Sequence, residues 1–125
     1  MKAVMSEQAP RPVGPYSHAI DTGTLVFCSG QLGLDPSTGA LVGPGAEEQS
    51  IQAMRNLEAV LRACGLGLPN VVKTTLFLSD PTDMKDVSMA YGRLIASPLP
   101  ARSMVVASAL PLGARVMIEA VAIRP

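Results

Sequence analysis

The chain has 125 residues, with 10 Lys plus Arg against 10 Asp plus Glu, zero formal net charge, and 48% hydrophobic but only 3% aromatic residues. That length supports one domain, residues 1–125, with a substantial core; the balanced charge, lacking a basic run or interleaved aromatics, disfavours nucleic acid as the primary partner, and no apolar run approaches the roughly 18 residues of a membrane span. Met1 to Pro10 has no signal-peptide core, and Cys28 and Cys64 form neither a CxxC nor a cysteine framework, so the expectation is a cytoplasmic protein with reduced, buried thiols and no metal site.

A first strand is expected over Lys2 to Met5. Residues 9–15 then carry three prolines and a glycine, which predicts an ordered loop or extended arm that delivers Tyr16 and Ser17. His18 to Asp21 and Thr24 to Ser29 flank Thr22-Gly23 as a hairpin, with Leu25, Phe27 and Ser29 on one face and Val26 and Cys28 on the other. Ser29-Gly30-Gln31 is expected to end that strand. Pro36 early and Gly39 late in the run from Asp35 to Gly39 predict a type I turn closed by a left-handed residue, and with it a second hairpin.

From Glu47 to Cys64 the apolar positions Ile51, Met54, Leu57, Leu61 and Cys64 recur every three or four residues, with acids in the first turn and Gly65 as the stop. This is a helix. The stretch from Gly65 to Asn70 follows it without a third glycine, so it reads as a helix stop and turn rather than a dinucleotide fingerprint. Val71 to Leu78 is rich in branched residues and predicts a strand; Met84, Val87, Tyr91 and Leu94 predict a second amphipathic helix capped by Thr82 or Asp83 and ended before Pro98 and Pro100. Met54, Met84 and Met89 are expected as core or interface filler.

Two apolar runs close the chain, Ala101 to Val106 and Val116 to Ile123, each with one charge. Alternation puts Arg102 on the face of Met104 and Val106, and Glu119 on the face of Met117, Val121 and Ile123. Both faces are apolar, so both charges are expected to be desolvated, and the short link through Leu110 to Ala114 makes the two runs neighbours in an antiparallel pair. Two readings follow from the residues: an Arg102–Glu119 salt bridge at a subunit contact, or an arginine fork for a small carboxylate with Glu119 handling a proton or water beside it.

The element order predicts an α+β architecture, a mixed sheet with both helices on one face. Two helices cover only that face. The other would expose apolar groups from several strands, so a homo-oligomer is expected, with the charged residues near its interface.

Gly14-Pro15-Tyr16-Ser17, Ser29-Gly30-Gln31, Pro100-Ala101-Arg102-Ser103 and Ile118-Glu119-Ala120, in this order and spacing, resemble the RidA (YjgF, endoribonuclease L-PSP) family of enamine/imine deaminases. The resemblance runs from about Pro10 onward and includes the strand at Val71 to Thr75. It implies a chorismate-mutase-like subunit, a homotrimer with sites between subunits, and hydrolysis of 2-imino or 2-enamino acids to 2-keto acids and ammonia. It also implies that Arg102 binds the substrate carboxylate, that Glu119 positions water, and that Tyr16 and Ser29 line the pocket. Backbone groups at Gly30 and Gln31 would hold the rest of the substrate, and Ser88 is a further substrate-binding position.

Many deaminases of the family have asparagine at Ser88, glutamine at His18 and an aromatic at Ile95, so these positions are expected to tune substrate range. His18, the only histidine, otherwise reads as structural. Ser29 has no nucleophile triad around it and reads as a hydrogen-bonding group. A protonated imine is already electrophilic, so no cofactor is expected. Two other classes stand beside the deaminase: a ribonuclease or translation inhibitor, which the neutral charge disfavours, and a non-catalytic carboxylate-binding protein, which would need Arg102 but not Glu119.

Overall fold

The computed structural model describes residues 1–125. Eight principal elements follow one another: β1 Lys2–Val4, β2 Ala19–Asp21, β3 Leu25–Leu32, α1 Ala46–Ala63, β4 Val71–Leu78, α2 Met84–Leu94, β5 Ala101–Val106 and β6 Val116–Ile123. The strands form one six-stranded sheet in the order β1-β2-β3-β6-β4-β5, antiparallel throughout except for β4 beside β5. This is the mixed α+β sheet expected from the element order.

Each element ends where its residues require. Glu47 and Glu48 sit in the first turn of α1, and Gly65 takes φ +75° just past its C-cap, Cys64. Met54, Leu57 and Leu61 of α1, Val87 of α2, Leu76 and Leu78 of β4, and Val116 and Ile118 of β6 form the core between helices and sheet. Of the three methionines expected as core or interface filler, Met54 lies in the core, and Met84 and Met89 are exposed on α2.

Alternation in β3 is as expected, with Val26 and Cys28 buried and Phe27 on the open side. Phe27, Val105 and Ile123 are each 45–47% exposed there, and Phe27 lies opposite Val121. An apolar face is left uncovered by the chain itself. No helix is long and apolar enough to cross a membrane.

Several local expectations are corrected. β5 and β6 are not neighbours, because β4 lies between them. The stretch β4–α2–β5 is a crossover unit, and a helical crossover brings its two strands together in parallel, so β5 takes the outer edge of β4. The link over residues 107–115 then passes across to the other side of β4 instead of closing a hairpin. β3 does not end at Ser29-Gly30-Gln31 either; it runs to Leu32 through an irregularity in its pairing with β6 between Cys28 and Gln31.

The turn at Asp35–Gly39 forms, with Gly39 at φ +75° and its amide on the Asp35 carbonyl at 2.8 Å, but only a single bridge, Leu34 to Leu41, follows it. Asp83 stands at the N-cap position of α2, but its side chain makes no capping hydrogen bond. Asp80 accepts from the Thr82 amide at 2.9 Å and caps a short 3-10 turn over Pro81–Asp83, while Asp83 receives a forked pair from Arg115 at 2.7 and 2.9 Å. That pair ties the start of α2 to the start of β6.

Candidate active site

The arm over residues 9–17 is fixed by its prolines and by His18. The His18 ring is buried; Nδ1 accepts from the Ser6 amide at 2.9 Å, and Nε2 therefore carries the hydrogen and donates to the Pro10 carbonyl at 2.7 Å. A fully engaged ring has no face for a substrate, which establishes its structural reading. Ser29 continues the anchoring: its amide donates to the His18 carbonyl at 2.9 Å and its hydroxyl to the Ser17 carbonyl at 2.7 Å. The lone pairs of the Ser29 hydroxyl stay free to accept.

Where β3 pairs irregularly with β6, Gly30 lies against Met117. A Cβ on Gly30 would stand 2.8 Å from the Met117 sulfur, so the Met117 side chain fills the space beside Gly30. The arm, this segment of β3 and the adjoining part of β6 enclose a cleft of about 780 Å³. Tyr16, Ser29, Gly30, Gln31 and Glu119 all line it, as do Arg11 and Met117. Glu119 is exposed, makes no ion pair and receives no hydrogen bond from the protein. Five of the seven expected site residues therefore meet in one cleft.

Arg102 and Ser88 do not. In the sheet Thr74 lies between α2 and the strands and bonds the Tyr91 hydroxyl at 2.9 Å, whereas Thr75 faces the open side. Arg102 is in register with Thr74 and Glu119 with Thr75, so the two charges project from opposite faces. Arg102 lies over the Tyr91 ring, 5.5 Å from its centroid, and its Nη1 donates to the Ser88 hydroxyl at 3.0 Å. Within one chain the salt-bridge reading is thereby excluded, and neither charge is desolvated there, because both side chains are exposed.

Of the positions expected to tune substrate range, His18 and Ile95 are buried and line no part of the cleft, and Ser88 touches Arg102. Arg11 and Tyr91 escaped the sequence reading. Tyr91 looked only like a core position of its helix, although it follows Ser88 by three residues and so shares its face.

Burial pushes the Cys28 thiol up to about 12, and also raises Cys64, so neither serves as a nucleophile. Asp21 is held below the ordinary carboxylate range, first by the Arg124 guanidinium bonded to it. No group of three or more His, Cys, Asp or Glu side chains gathers anywhere in the chain.

The family model for Endoribonuclease L-PSP matches residues 6–124. The chain belongs to that family. Among its relatives in the L-PSP family, the mouse (Mus musculus) protein named 2-iminobutanoate/2-iminopropanoate deaminase is 43% identical over 123 residues, covering 98% of this chain and 91% of the relative. The crystal structure of RidA from the Antarctic bacterium Psychrobacter superposes with a TM-score of 0.95 at 35% identity, over 99% of this chain and all of the other. That of E. coli TdcF with bound serine gives 0.94 at 30% identity, with both chains fully covered. The L-PSP fold is thus shared from end to end, including the arm and both apolar C-terminal strands.

Proposed function

We propose that this chain is a hydrolase that converts reactive 2-imino and 2-enamino acids, such as 2-iminopropanoate and 2-iminobutanoate, to 2-keto acids and ammonia. The observation that carries this reading is Glu119, a carboxylate with no protein partner, in a cleft with Tyr16, Ser29, Gly30 and Gln31. It occurs in a chain 43% identical to a deaminase named for those two imines. Serine, the molecule bound in the TdcF structure, carries the α-carboxylate and nitrogen that an imino acid also presents.

The chemistry asks for placement more than for force. The protonated imine carbon at C2 is already electrophilic; water adds its oxygen there, the carbinolamine nitrogen takes up a proton and leaves as ammonia, and as C2 becomes a ketone the hydroxyl gives up its proton, which turns the ammonia into ammonium. Glu119 accepts a proton from the attacking water and returns one to the departing nitrogen. Backbone groups at Gly30 and Gln31, with the Ser29 hydroxyl and the Tyr16 ring, hold the substrate against the cleft wall. No cofactor enters these steps.

Arg102 supplies the carboxylate clamp from a second copy of the chain. Its place on the sheet face opposite Glu119 supports this, since the two cannot meet in one subunit, and the uncovered apolar face supports an assembled form. The working unit is then a homotrimer with three sites between subunits, acting in the cytoplasm. Ser88 and Tyr91 steady the guanidinium, so Ser88 acts through Arg102.

The ribonuclease reading has less support: charges balance at 10 against 10, and Glu119 faces the cleft as its only carboxylate. A coupled assay decides between enzyme and binding protein. An amino-acid oxidase generates 2-iminobutanoate, and the protein is expected to accelerate its loss well above the spontaneous rate. No acceleration at any protein concentration would leave only carboxylate binding.

A further inference from the structure

Within one chain, Arg11 is the only cation lining the cleft that holds Glu119, and its guanidinium makes no ion pair and no hydrogen bond there. Its backbone, by contrast, is held. Pro10 and Pro12 flank it, and the proline that follows keeps Arg11 extended. The peptide that enters Arg11 carries the Pro10 carbonyl, which takes the 2.7 Å bond from the buried His18 ring, itself bonded to the Ser6 amide. An arginine without a partner therefore stands on a tethered stem in the wall of the cleft.

The cleft is also larger than a three- or four-carbon acid needs. In a single chain it measures about 780 Å³, before the second copy that brings Arg102 takes its share. With the α-carboxylate taken by Arg102 and C2 held beside Glu119, a substrate side chain extends along the remaining wall of the cleft, where Arg11 stands. A side chain ending in a carboxylate is repelled by Glu119 and drawn to the other charged group on the wall, which is Arg11. A guanidinium fork matches a terminal carboxylate in geometry as well as in charge.

We propose that Arg11 is a second anion-binding group of this cleft, and that it selects 2-imino acids whose side chain ends in a carboxylate. The proposal rests on the deaminase reading for the position of the reacting carbon, but binding can be measured without turnover. Calorimetry with 2-oxosuccinate and with pyruvate, on the unmodified protein and on Arg11→Gln and Arg11→Lys, gives the preference for a second carboxylate in each.

The unmodified protein is expected to prefer 2-oxosuccinate, Arg11→Gln to lose about tenfold of that preference, and Arg11→Lys to keep part of it. The same ratio is then read as kcat/KM for the imines of aspartate and alanine. A preference that does not change in Arg11→Gln overturns the proposal, even if 2-iminopropanoate is hydrolysed. An Arg11-dependent preference in a protein that hydrolyses neither imine upholds the second anion site and removes the deaminase reading instead.

Discussion

Glu119 and Arg102 are each one charge on an apolar strand, and their different surroundings predict different losses. Glu119→Gln keeps the shape but removes the base, so kcat is expected to fall by about 10²–10⁴-fold while pyruvate still binds. Loss of binding with turnover intact would make Glu119 a structural group. Arg102→Lys keeps the charge but loses the fork, so kcat/KM is expected to drop about tenfold or more, mainly through KM. Ser88→Asn replaces the hydroxyl that now receives the Arg102 Nη1 bond, and should change the ranking among small and bulky imino acids by shifting the guanidinium. An unchanged ranking would mean that Ser88 does not set the position of Arg102.

At the scale of elements, the packing of α1 on the strand ends offers a sharper test than its sequence periodicity. A Cβ on Gly33 would fall 2.5 Å from the carbonyl oxygen of Gln49, which belongs to helix backbone and has nowhere to move. Gly33→Ala is expected to cost about 1–3 kcal/mol in denaturant unfolding. Unchanged stability would show that α1 rides more loosely on the sheet. Asp21 and Arg124 make the other check, since they join β2 to the end of β6 and Arg124 also reaches the Cys64 carbonyl at the end of α1.

Because the Asp21 carboxyl is lowered in the folded chain, its contribution is full above the ordinary aspartate value of about 3.9. It is lost as pH falls below that through the lowered value. Asp21→Asn should therefore be less stable at neutral pH and lose less on acidification, which an acid titration of unfolding free energy reads directly.

The periodic elements were legible because local patterning decides them: α1 from its three-and-four spacing, β4 and β6 from their bounds, and the hairpin from Thr22-Gly23. The neighbour of β5 was not. A short link through Leu110 to Ala114 resembles a turn, and only the three-dimensional demand of the β4–α2–β5 crossover assigns that edge to β5. The same error placed Arg102 and Glu119 side by side. Their residue types were readable from the strands that carry them, but their separation depends on register against Thr74 and Thr75, which no local pattern encodes. Arg11 was missed for a similar reason, since a proline-flanked arginine gives no sign of the cleft it lines until the His18 tether is seen.

For the whole molecule, the uncovered face with Phe27, Val105, Val121 and Ile123 is where assembly is expected, and Val121→Asp would add an unpaired charge to that contact. Sedimentation and activity measured on one sample should fall together in that variant; a monomer with full specific activity would mean that each subunit builds its own site. The most direct measurement uses two inactive variants, Arg102→Ala and Glu119→Gln, coexpressed so that their subunits mix. Each alone is expected to be nearly inactive, but in mixed trimers of the proposed kind an intact Arg102 from one subunit would meet an intact Glu119 from the next. Activity should return to about a quarter of the unmodified level on random mixing. If the mixed assemblies stay as inactive as either variant alone, Arg102 and Glu119 do not form a site between subunits.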